Sequence, residues 1–179
     1  MGFADAGFLL CSRDERGTRV NGVERIEGGM NAADAAMMRE ALAEARAAAE
    51  RGEVPVGALV VHEGRVVARG GNRTIADCDP TAHAEMVALR EAARVIGNYR
   101  LVGATVYVTV EPCAMCAGAL IQARVARLVY GCAEPKGGAV RSSLGVLENP
   151  VTNHRVEVVA GVMAEECAEA LREFFEARR

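Results

Sequence analysis

The hydrophobic and polar positions of this chain divide into a short unpatterned start and a long patterned remainder. Residues 1–29 follow neither a helical nor a strand period and are broken by Gly17, Gly22 and Gly28-Gly29. They are expected to be a disordered extension, or to stem from an upstream start, leaving one domain over residues 30–179. From Asn31 to Arg51 the chain is dense in Ala, Glu, Arg and Met, all good helix formers, with Asn31 placed as an N-cap and Gly52 as the stop. Val54 to His62 is β-branched and apolar, Glu63-Gly64 reads as a two-residue turn, and Arg65 to Gly70 resumes the strand pattern, so the pair predicts a hairpin. Asn72 to Pro80 reads as a loop.

Beyond that loop, helical patterns over Ala82–Ile96 and Cys113–Ala123 alternate with strand patterns over Thr105–Val110 and Arg127–Gly131. A long Gly-, Ser- and Pro-rich loop from Cys132 to Asn153 precedes a last strand, Arg155–Ala160, and a last helix, Ala164–Arg178. Strand-helix-strand units imply parallel neighbours, and the opening hairpin adds an antiparallel edge. The expected fold is α/β, with three α/β/α layers and a five-stranded mixed sheet between the helices.

Composition narrows the function classes. At 179 residues and 51% hydrophobic, the chain has material for one ordinary core. A net charge of −3 gives no global positive field for a polyanion, so any nucleic-acid contact must be local. Arginine supplies every basic side chain except Lys136, and guanidinium suits phosphate and base recognition. The apolar run Phe3–Leu10 is interrupted by Asp5, lacks a preceding basic residue, and is too short for a membrane or secretory segment. A cytoplasmic protein with no membrane association is expected. Of the six cysteines, Cys11, Cys78, Cys132 and Cys167 show no framework spacing; Cys78, Cys132 and Cys167 read as small buried hydrophobes. Met37 and Met38 read as helix core.

Two motifs carry candidate chemistry: His83-Ala84-Glu85 opening one helix, and Glu111-Pro112-Cys113-Ala114-Met115-Cys116 opening another, each preceded by the proline expected to begin its helix. Alone, Cys-x-x-Cys could be a redox pair and His-x-Glu could arise by chance. Together they match the zinc-deaminase signature. Cys113 and Cys116, three apart, share one helix face, and the first-turn N–H groups favour thiolates. His83 and Glu85 can serve the same site only if the metal lies off their helix N-terminus. His83, Cys113 and Cys116 are then the ligands of one Zn2+ per subunit, water takes the fourth position, and Glu85 moves the protons. His62 and His154 have no companion at metal spacing and read as surface or hydrogen-bonding histidines.

The segments Glu53-Val-Pro-Val-Gly-Ala58, Asp79-Pro-Thr-Ala-His-Ala-Glu85, Asn98-Tyr-Arg-Leu101, Tyr107-Val-Thr-Val-Glu-Pro-Cys113 and Asn153-His-Arg-Val-Glu157 closely resemble bacterial TadA-type tRNA adenosine deaminases, from about Met30 to Arg179. The resemblance implies a cytidine-deaminase-like fold, a homodimer, and hydrolysis of the wobble adenosine of a tRNA anticodon to inosine, with the base flipped into the zinc pocket. It implies that Asn72 hydrogen-bonds the base, that Val54 and Pro112 wall the pocket, and that the Ala84 N–H is a further contact. It also implies that Asn153, Lys136, Phe174 and Phe175 contact the flipped-out nucleotides of the anticodon arm. Against these stand plainer roles: Asn72 closing a turn, the two phenylalanines packing in the core.

Two departures bear on RNA affinity. Glu134 stands where close relatives commonly have aspartate, and the chain ends at Arg178-Arg179 without the basic tail of some relatives. Two other functions fit the fold. A small-molecule deaminase of free guanine or cytosine would close its pocket with its own C-terminal segment and would not need Asn153-His-Arg-Val-Glu157. A catalytically silent zinc-binding partner subunit would have no need for Glu85.

Overall fold

Asn31 starts the first helix as the sequence predicts: its Oδ1 accepts the Ala33 N–H at 3.1 Å, and α1 runs Ala32–Glu50. The computed structural model describes residues 31–179, so the expected 1–29 extension and Cys11 lie outside the described residues. Strands β1 (Gly57–His62) and β2 (Arg65–Gly71) form the hairpin. Its turn residues Glu63 and Gly64 both take positive φ, 50° and 73°, which matches the strand twist. There follow α2 (Ala84–Ile96), β3 (Thr105–Val110), α3 (Ala114–Gln122), β4 (Arg127–Cys132), a 3-10 turn (Val146–Glu148), β5 (Glu157–Ala160) and α4 (Ala164–Glu176).

The element order is the expected one, but several boundaries differ for identifiable reasons. Strand β1 begins at Gly57 rather than Val54, because Pro55 offers no N–H and the Val56 N–H turns back onto the Val54 carbonyl at 2.8 Å. Helices α2 and α3 begin after His83 and Cys113, both of which keep extended backbone as N-caps. Pro80 and Pro112 therefore lie outside the helices and do not begin them. Strand β5 starts two residues later than expected, at Glu157.

The sheet order is β2-β1-β3-β4-β5, antiparallel between β2, β1 and β3 and parallel between β3, β4 and β5. Helices α2 and α3 pack on one face, over Ala58, Val60, Val106, Val108 and Leu128, while α1 and α4 pack on the other, over Leu59, Tyr107 and Val129. This is the three-layer α/β/α arrangement. Met38 is fully buried and Met37 packs at the edge of the same cluster. Cys132 and Cys167 are buried, but Cys78 is exposed, in a turn with φ +48°, and is no core residue. Among the described residues no helix is long and apolar enough to cross a membrane.

One polar pin ties the layers together. Asp34 is buried in the first turn of α1, accepts the Tyr107 hydroxyl at 2.8 Å, and receives Nη1 and Nη2 of Arg127, each at 2.8 Å. The Arg127 hydrogen bonds hold its carboxyl below the usual range against the opposing effect of burial.

Because β1 and β2 run antiparallel and parallel, respectively, to β3, the segment entering β1, the segment leaving β2 and the C-terminal ends of β3 and β4 all meet at one sheet edge. Both candidate motifs emerge there.

Candidate active site

Gly70 lets α2 approach β2. A Cβ at this position would come within 2.5 Å of the Ala84 carbonyl oxygen and 2.8 Å of the Ala88 nitrogen, so only glycine admits the first turn of α2 this close to the sheet. That turn carries His83 at its N-cap and Glu85 as its second helical residue, while α3 carries Cys113 at its N-cap and Cys116 in its first turn. Two helix N-termini converge on one point.

The side chains meet accordingly. His83 Nδ1 lies 3.7 Å from both Cys113 Sγ and Cys116 Sγ, and the three donor atoms fall within 4.8 Å of one another. For tetrahedral zinc with ordinary Zn–S and Zn–N bonds the S···N separation is ~3.6 Å. The three residues can hold a metal ion of that kind. The Cys116 thiol and the His83 ring bring Cys113 down to about 3, whereas the Cys113 contact and burial push Cys116 upward. Without a cation the pair supports one thiolate; a divalent ion would let both sulfurs carry charge.

Glu85 is 3% exposed, faces His83, Cys113 and Cys116, and has its carboxyl raised chiefly by burial. His62 and His154 are elsewhere, their Nε2 atoms against the carbonyls of Val102 (3.2 Å) and Val125 (2.7 Å), in the hydrogen-bonding role expected of them.

Asn72 lies beside this cluster. It is buried, and its Oδ1 accepts the Ala84 N–H at 2.9 Å. The Ala84 N–H is thus spent on Asn72 rather than free for a base, and the amide nitrogen of Asn72 is the part left for a ligand. Val54 sits half-buried in the segment entering β1, and Pro112 is buried immediately before Cys113. The remaining expected contacts are not gathered at the cluster. Lys136 is exposed on the loop after β4, and the Asn153 side chain and carbonyl accept from Arg124 at 2.9 and 3.0 Å. Phe174 is buried in a cleft of about 460 Å³ between α1 and α4, with the Arg178 guanidinium 3.5 Å from its ring centroid. Burial at this position fits the packing alternative. Phe175, edge-on to it, is 49% exposed.

Two buried carboxylates were not singled out from the sequence. Glu53 accepts from the Thr74 hydroxyl and the N–H groups of Ile75 and Ala76 at 2.8–3.2 Å, holding the loop after Asn72. Glu111 does the same for the loop after β4; burial alone would raise it, but N–H groups of Arg141, Ser142 and Glu134 and the Ser142 hydroxyl outweigh that and bring it to about 2. Glu134, which stands where close relatives commonly have aspartate, turns its carboxylate onto the N–H groups of Lys136 and Gly137 within its own loop.

The MafB19-like deaminase family matches residues 32–179. The chain is 51% identical to the tRNA-specific adenosine deaminase of Agrobacterium fabrum over 79% of its own length and 93% of the relative's. It is 48% identical to the enzyme of the same name from Haemophilus influenzae, over 82% of this chain and 85% of that one. A solved structure from work on A-to-I editing by tRNA:A34 deaminases at the wobble position superposes with a TM-score of 0.74 at 50% identity, covering 76% of this chain and 99% of the other.

Proposed function

The chain belongs to the tRNA-specific adenosine deaminases of the MafB19-like deaminase family, and from that premise we propose that it hydrolyses the wobble adenosine of a tRNA anticodon to inosine, releasing ammonia. The observation that carries the reading to residues is the triangle of His83, Cys113 and Cys116 with the buried Glu85 beside it. In this proposal those three side chains hold one Zn2+ per subunit. Bound there, zinc supplies the Lewis acidity that makes water a nucleophile near neutral pH.

The rest of the chemistry belongs to the chain. Glu85 accepts the proton of the attacking water and delivers it to the departing amine, a role suited to a carboxyl whose proton affinity is raised by burial. The Asn72 amide nitrogen hydrogen-bonds the purine, its orientation fixed by the Ala84 N–H on Oδ1. Val54 and Pro112 wall the base. Asn153, Lys136 and Phe175 contact flanking nucleotides of the anticodon arm, consistent with recognition of splayed bases by a few placed groups in a protein of net negative charge.

A homodimer and a cytoplasmic location complete the proposal. Support for the dimer comes from large apolar side chains left outside, Leu144 at 67% and Val151 at 85% exposure. Sedimentation at micromolar concentration should give a dimer; a strictly monomeric species would count against it. The activity itself is tested by incubating the protein with a total tRNA pool and mapping A-to-inosine changes by sequencing. Conversion confined to wobble adenosines is expected. Ammonia released from free guanine or cytosine, with unchanged tRNA, would refute the reading.

A further inference from the structure

Glu111 lies between β3 and the ligand-bearing N-terminus of α3, and its side chain serves a different segment. Its two carboxylate oxygens accept the N–H groups of Arg141 (2.7 Å), Ser142 (2.9 Å), Val140 (3.1 Å) and Glu134 (3.2 Å), and the Ser142 hydroxyl. Five donors from one loop thus end on one buried acceptor, 3% exposed. The loop is pressed against the site at the same place. Gly138 pairs with Cys113, the Ala139 N–H donates to the Pro112 carbonyl at 2.8 Å, and a Cβ on Gly138 would come within 2.6 Å of Glu111 Oε2. At its tip the loop carries Lys136, the sole lysine of the chain.

A carboxylate is the only side chain that fits this role. Glutamine would turn an NH2 group toward N–H donors, leaving at least one of them buried without an acceptor. We infer that Glu111 is a positioning residue: it fixes residues 134–142 over the site in the shape that receives RNA, without itself touching the base or the ligands. The inference rests on the wobble-adenosine reading.

The expected consequence is a split between binding and turnover. If loss of the anchor leaves the loop in its receptive shape about a tenth of the time, KM for an anticodon stem-loop rises about tenfold, because apparent affinity scales with the competent fraction. Turnover at saturating RNA and bound zinc should stay close to the parent values. The variants are Glu111→Gln and Gly138→Ala, the second of which crowds both Glu111 Oε2 and the Glu134 carbonyl oxygen, with Ser142→Ala as a milder variant should Glu111→Gln fail to fold. Hydrogen exchange at the amides of Val140, Arg141 and Ser142 reports loop anchoring without reference to activity.

Faster exchange in these amides together with raised KM and parent-like turnover supports the inference. Unchanged exchange, or faster exchange with unchanged KM, overturns it, and so does a fall in bound zinc, which would make Glu111 a support for the Cys113 turn. A parent protein inactive on the stem-loop defeats the RNA reading instead, while the exchange data still decide whether Glu111 anchors the loop.

Discussion

Asn72 has two jobs in one side chain, and two substitutions separate them. Its Oδ1 takes the N–H of Ala84, a fully buried residue in the first turn of α2, while its amide nitrogen is the group proposed to meet the purine. Asn72→Ala removes both and leaves a buried helix-terminal donor unpaired, which costs about 1–3 kcal/mol. For a domain of this size each kcal/mol lowers Tm by about 2–4 °C, so a drop of about 5 °C is expected. Asn72→Asp keeps an acceptor for the Ala84 N–H, at a helix N-terminus where a negative charge is tolerated, so its Tm should stay near that of the parent. Both variants lose the donor to the base, and a loss of about 1–3 kcal/mol corresponds to a fall of about 5–150-fold in kcat/KM. Thermal melts and steady-state kinetics on an anticodon stem-loop read the two effects. Parent-like kcat/KM in Asn72→Asp would refute the contact to the base, and a parent-like melt in Asn72→Ala would refute the structural bridge.

Other outcomes follow from the same site and core. Glu85→Gln should retain zinc and RNA binding while the single-turnover rate falls about 10²–10⁴-fold; retention of more than about a tenth of the rate would remove Glu85 from the proton-transfer role. Cys113→Ser, or treatment with a chelator, should strip metal and lower the melting temperature together, because folding and metal binding are linked; metal analysis with full zinc in Cys113→Ser would rule out the His83, Cys113, Cys116 set. Asp34→Asn should cost about 2–3 kcal/mol at neutral pH, from lost charge-assisted hydrogen bonds to Arg127 and Tyr107. Since Arg127 lowers the folded pKa of Asp34, its contribution is whole above the unfolded value of about 3.9 and is lost as pH falls through the lower folded value. Urea titrations should therefore show the gap between parent and variant closing in acid, and a gap of constant size would refute the assignment.

The gathering of His83, Cys113 and Cys116 into a group that could hold a metal was legible in the sequence because each motif is local. His83 with Glu85, and Cys113 with Cys116, are two and three residues apart, so helix geometry alone says which side chains share an end. The carboxylates at Asp34, Glu53 and Glu111 escaped notice for the opposite reason. Glu111 and Glu53 hold loops whose donors lie 21 to 31 residues away, and most of those donors are backbone N–H groups that every non-proline residue possesses. No residue type marks such a partner. Asp34 has its partner Arg127 93 positions away. Val54–Val56 looked like strand because β-branched residues report propensity, while Pro55 and the Val56 turn decide the backbone. Cys78 looked like a core residue from its type alone and proved to sit in an exposed turn.

The two helix starts at His83 and Cys113 have a consequence for anyone who would engineer this protein. Asn31 caps α1 through its side chain, but neither His83 nor Cys113 makes a side-chain cap hydrogen bond. Serine or aspartate at either position would be the better cap, typically by about 1 kcal/mol. A screen for heat resistance carried out on metal-free material would therefore reward replacements that remove the proposed metal ligands, and sequence design guided by backbone preference alone would drift the same way. Stabilising campaigns should hold these two positions fixed, or select with zinc added, under which the proposed ligands should contribute more than the caps they displace.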